Sequence, residues 1–101
     1  MTLQKKLEIT NKRGLHARAS AKFVKCVEVF DADVLVSLEG QTVPGTSILG
    51  LMMLAAAMNT TIEVSATGPQ AEEAMAAIEA LLADRFGEDR DDEPTDTAQN
   101  D

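Results

Sequence analysis

His16 is the single histidine of the chain, set between a glycine turn and the start of a helical pattern in the run Gly14-Leu15-His16-Ala17-Arg18-Ala19. Imidazole presents a neutral, nucleophilic nitrogen near pH 7, so a histidine in such a place can accept a phosphoryl group. A helix N-terminus collects unpaired backbone N–H groups and the positive end of the helix dipole, which suits the oxygens of that group. The N–H groups of Ala17 and Arg18 are the nearest in sequence, and the Arg18 guanidinium can add a charge-assisted fork. The bland reading, a histidine that merely ends a loop, stays open on these residues alone.

Little else in the chain competes as chemistry. One cysteine and one histidine make neither a disulfide framework nor a set of soft ligands with zinc-site spacing, so no metal or other cofactor is expected. Cys26 lies between Val24 and Val27 on a helical pattern and reads as a buried structural thiol; an enzyme with Cys26 as nucleophile is the remote alternative. A hydrolase is disfavoured because no second catalytic partner accompanies His16 and acids near it in sequence are few.

Charge is unevenly spread. The net charge is −8, which argues against nucleic-acid binding. Residues 1–25 nevertheless hold seven of the nine basic residues against a single acid, a local charge of +6, whereas residues 87–101 sum to −6. His16 thus lies on a positive island of an acidic chain. Arg18, Lys22 and Lys25 line one helical face, either as a solvated stripe or as a surface that steers an acidic partner. No signal peptide or membrane-spanning run is evident, and the chain reads as a cytoplasmic protein.

The elements that must position these residues follow from periodicity. Leu3–Thr10 alternates as a half-buried strand, and Asn11-Lys12-Arg13-Gly14 breaks it, with Gly14 free to take the positive φ that a sharp turn into a helix requires. Ala17–Val29 turns helical, with Ser20, Phe23, Val24 and Val27 on one face. Asp31–Glu39 and Gln41–Val43 read as a hairpin, and Ser47 as the cap of a helix from Ile48 to about Met58, with Asn59 at its end. Thr60–Ala66 alternates with Ile62, Val64 and Ala66 inward, and Gly68-Pro69 opens a last helix with Met75, Ile78 and Leu82 on its buried stripe. The order βαββαβα predicts an α+β open-faced sandwich, helices covering one face of an antiparallel sheet. With 101 residues, one domain is expected over 1–87, followed by an acidic, disordered tail over 88–101.

The second helix is apolar on nearly every side. Ile48, Leu49, Leu51 and Met52 exceed what one buried face needs, so part of it is expected to stay exposed as a docking patch, unless it is simply the deepest helix. Capping alone accounts for Ser47; a phosphate there would sit well on the helix start yet repel acidic partners.

Gly14-Leu15-His16-Ala17-Arg18, Gly45-Thr46-Ser47-Ile48-Leu49-Gly50 and Thr61-Ile62-Glu63-Val64-Ser65-Ala66-Thr67-Gly68-Pro69 together resemble the HPr phosphocarrier family of the bacterial phosphoenolpyruvate-dependent phosphotransferase system. Glu8-Ile9-Thr10-Asn11-Lys12 and Thr67-Gly68-Pro69-Gln70 are more similar to its nitrogen-related branch than to its sugar-transport branch. The resemblance implies that His16 takes a phosphoryl group from phosphorylated enzyme I, as pros-phosphohistidine, and passes it to a histidine of an enzyme IIA. It implies that Arg18 is the active-site arginine and that Ser47 matches the serine modified in some bacteria by an HPr kinase/phosphorylase. It further implies a four-stranded antiparallel sheet under three helices, and docking through the first two helices, which would recruit Lys22, Lys25, Ile48, Leu49, Leu51 and Met52. The protein would then be a monomeric stoichiometric carrier rather than an enzyme. Ala19 departs from the family by replacing its common proline, and the charged tail is a second departure. The competing class is a non-catalytic regulatory module that binds a partner through the second helix.

Overall fold

The computed structural model describes residues 2–88, and the acidic tail expected from the sequence lies, from residue 89 onward, outside the described residues. Strands β1 (Thr2–Glu8), β2 (Asp33–Leu38), β3 (Gln41–Pro44) and β4 (Thr61–Thr67) form one antiparallel sheet in the order β1-β4-β2-β3. Helices α1 (Ala17–Glu28), α2 (Ile48–Met53) and α3 (Ala71–Ala83) cover one face, so the expected βαββαβα open-faced sandwich is the fold observed.

Alternation explains the sheet. Register places Leu7 opposite Ile62, and Val64 opposite both Lys5 and Val36, so the apolar parity of every strand falls on the helix side. Val34, Val36, Ile62, Val64 and Ala66 are buried there beneath Phe23 and Val27 of α1, Leu51 of α2, and Met75, Ile78 and Leu82 of α3. Lys5 shares this inward parity only because β1 is an edge strand, where its ammonium escapes sideways to Glu79 of α3 at 2.6 Å.

The second helix is shorter than its apolar run suggests. It stops at Met53, with Leu54 as C-cap, and Ala55 takes a left-handed φ of 56°. Beyond it the chain is a loop in which Leu54 and Ala56 are buried against the core while Ala55, Ala57 and Met58 are exposed, and Asn59 donates its N–H to the Ile9 carbonyl instead of ending a helix. Hydrophobicity there does not report helical length.

Past α3 the chain makes a 3-10 turn at Arg85–Gly87 and drives Phe86 into the core at 1% exposure. This turn returns the chain to the loop that precedes α1.

Candidate functional site

Asn11 organises that loop. It is fully buried, accepts the Gly14 N–H on its backbone carbonyl, and donates from side-chain Nδ2 to the Gly14 carbonyl at 2.9 Å. Gly14 has φ +66°, and Leu15 then donates its N–H to the Ala56 carbonyl at 2.9 Å, tying the loop to the segment after α2. Leu15 enters the core, so the next residue, His16, is held where the helix starts.

His16 is the N-cap of α1. Its backbone is extended, its carbonyl accepts the Ser20 N–H, and its ring Nδ1 accepts the Arg18 N–H at 3.3 Å. An imidazole here replaces the usual Ser, Thr or Asp oxygen, and it brings Nδ1 to the mouth of the first helical turn. Ala17 and Arg18 are exposed, so the N–H groups beside the ring open toward solvent. An Nδ1 that accepts from a backbone N–H leaves the ring proton on Nε2.

The far side of the ring is occupied. Glu88 Oε2 lies 2.6 Å from His16 Nε2, and Glu88 Oε1 accepts from Asn11 Nδ2 at 3.0 Å. Both side chains are sheltered, with 16% and 11% exposure. Neither Asn11 nor Glu88 stood out in the sequence, where Asn11 reads as a turn former and Glu88 as the first residue of an acidic tail. Phe86, an apolar aromatic residue two positions before Glu88, is the one sequence feature that could have shown the chain returning to the core there; nothing in the sequence singles out Asn11.

The remaining expected residues divide. Arg18 is exposed on the first turn of α1 beside His16. Lys25 is exposed, but Lys22 is half-buried and donates from Nζ to the Phe86 carbonyl at 2.6 Å, so its charge is drawn toward the carboxyl-terminal turn. Ser47 Oγ accepts the Gly50 N–H at 3.0 Å and caps α2. Ile48, Leu49 and Met52 are exposed, as a docking patch requires, whereas Leu51 is fully buried and cannot dock. The correction follows from helical phase: Leu51 falls on the side of α2 that faces the core, and Met53, at 69% exposure, lies on the outer side instead.

Cys26 is half-buried rather than fully enclosed, and burial pushes its thiol pKa up. It is therefore expected to alkylate more slowly than a free thiol near neutral pH and to speed up as the pH rises toward its raised value. Mass spectrometry of the folded protein would follow this; reaction at the free-thiol rate would contradict it.

A family model described as the PTS HPr component phosphorylation site matches residues 3–84. The phosphocarrier protein HPr of Cupriavidus necator is 48% identical over 86 residues, spanning 85% of this chain and 97% of that protein. The phosphocarrier protein NPr of Escherichia coli is 47% identical over 90 residues, spanning 88% of this chain and all of that one. A crystal structure of HPr from Thermoanaerobacter tengcongensis superposes with a TM-score of 0.83 at 35% identity, covering 87% of this chain and 99% of that one. Since the matched segment runs from β1 to the end of α3, taking in His16 and all four strands, the chain belongs to the HPr family and is a phosphocarrier of the phosphotransferase system.

Proposed function

We propose that His16 carries the phosphoryl group, receiving it from phosphorylated enzyme I and passing it to a histidine of an enzyme IIA. The observation that supports this most is the capping geometry, in which Nδ1 sits at the N–H groups that begin α1. The Nδ1 lone pair attacks phosphorus, and the bond from phosphorus to the donor breaks with its electron pair returning to the donor. The Ala17 and Arg18 N–H groups then meet the phosphoryl oxygens, and the Arg18 guanidinium closes over them. Onward transfer reverses these steps, so the protein is consumed and regenerated as a carrier, with its partners supplying the catalysis.

Lys25, Ile48, Leu49 and Met52 supply an exposed cationic and apolar surface suited to both partners. The same reading makes the protein a cytoplasmic monomer. It also keeps Ser47 as the residue an HPr kinase/phosphorylase would modify, since a phosphate there would repel acidic partners from α2. Among the described residues no helix is long and apolar enough to cross a membrane.

Incubation with phosphoenolpyruvate and the cognate enzyme I is expected to place acid-labile phosphate on the protein, and His16→Ala to abolish it. Arg18→Ala is expected to slow transfer about tenfold or more without lowering stability, because the residue is exposed. Labelling that survives His16→Ala would overturn the assignment. Intact partner binding by that variant, with no phosphorylated form in cells, would favour the regulatory-module alternative.

A further inference from the structure

Glu88 makes a short hydrogen bond to the ring of His16, yet carrying a phosphoryl group on Nδ1 gives it no task. We propose that Glu88 is a positioning residue for the transfer: steered by Asn11, its carboxylate keeps the proton of the His16 ring on Nε2, so that the attacking lone pair stays on Nδ1. The inference rests on the reading of His16 as the acceptor.

A carboxylate has only lone pairs to offer, so a ring that faces Glu88 with Nε2 must present an N–H there. The opposite tautomer would set one lone pair against another across 2.6 Å. Glu88 cannot swing away without loss, because its second oxygen is held by Asn11, which is itself buried and anchored to Gly14. The backbone is pinned as well: Phe86 is buried, Lys22 Nζ grips its carbonyl, and Glu88 donates its own N–H to the Arg85 carbonyl. The arrangement resembles the carboxylate that fixes the tautomer of a catalytic histidine elsewhere, but here the free nitrogen attacks phosphorus instead of taking a proton.

The charge balance follows directly. When the N–P bond forms, the ring holds phosphorus on Nδ1 and hydrogen on Nε2 and becomes cationic, and the Glu88 carboxylate compensates that charge across the existing hydrogen bond. When the phosphoryl group leaves, the electron pair of the N–P bond returns to Nδ1 and the ring is neutral again, still protonated on Nε2. No proton moves in either direction.

The full chain labelled with 15N-histidine would test this through two-bond 1H–15N correlations. The wild type is expected to show the Nε2–H tautomer in clear excess. In Glu88→Gln, either placement of the amide sets a donor against a donor, from Asn11 or from the ring, so the excess is expected to fall and phosphorylation by enzyme I to slow about tenfold. Glu88→Asp should restore part of both. An unchanged tautomer ratio in Glu88→Gln overturns the proposal, as does slowed transfer without a tautomer change. Failure of the wild type to be phosphorylated at His16 would sink the carrier assignment instead, and the spectra separate the two failures.

Discussion

Gly14→Ala is expected to destabilise the fold by about 3 kcal/mol and to slow phosphoryl transfer at the same time. At φ +66° an L side chain is strained by roughly 1–2 kcal/mol before any contact is considered. The added Cβ would then lie 2.2 Å from the Ala56 carbonyl oxygen, a backbone atom that no rotamer change can remove. Relief requires the two segments to part, which gives up the 2.9 Å bond from the Leu15 N–H to that same carbonyl, a further loss of about 1 kcal/mol. Because Leu15 is the residue before the cap, parting also moves the His16 ring off the first turn of α1. Urea denaturation and a transfer assay on the folded fraction would read the two effects; loss below about 1 kcal/mol would contradict the first.

Phe23→Ala separates stability from chemistry. The ring is fully buried, and its edge lies by Gly45 and Val34, so it spans the space between α1 and the β2–β3 end of the sheet. Its removal leaves a cavity that α1 cannot close without losing its contacts with α2 and α3, and the expected cost is about 3–5 kcal/mol. For a domain of this size that is a large part of the total stability. The Phe23 side chain takes no part in the hydrogen bonds that join His16, Arg18, Asn11, Gly14 and Glu88, so the transfer rate per folded molecule is expected to stay near wild type. A shifted urea midpoint with an unchanged rate for the folded fraction is the anticipated pair of results.

The legible parts of the molecule are those whose cause is local. Alternation in Val34–Val36 and Ile62–Ala66 reports which parity faces the helices: Val34, Val36, Ile62, Val64 and Ala66 are buried, and Leu35 between the two valines is exposed. The change of period after His16 marks the start of α1 to the residue. The run after Ser47 misleads because an apolar residue is equally at home in a helix and in a loop packed on the core; only the left-handed Ala55 decides. The inward position of Leu51 is hidden for the related reason that a helix apolar all round does not show its own inner face in the sequence. Glu88 was illegible because it reaches a residue 72 positions away, and a stretch of acids offers nothing to distinguish the one that turns inward. Asn11 is a similar case: turn chemistry explains its presence fully until its amide is seen holding both Gly14 and Glu88.

The carboxyl-terminal turn has an energetic side of its own. Arg85, Phe86 and Gly87 take φ values of 54°, 55° and 74° in succession, and the two that carry side chains each store of the order of 1 kcal/mol of backbone strain. That strain works against the contacts that hold the turn, so it is expected to open more readily than β4, which is paired on both sides by β1 and β2. Opening it frees Phe86, Lys22 and Glu88 together. Amide hydrogen exchange at Gly87 and Glu88 would then run ahead of exchange in β4, and its rate would time how often the proton on His16 is left unattended.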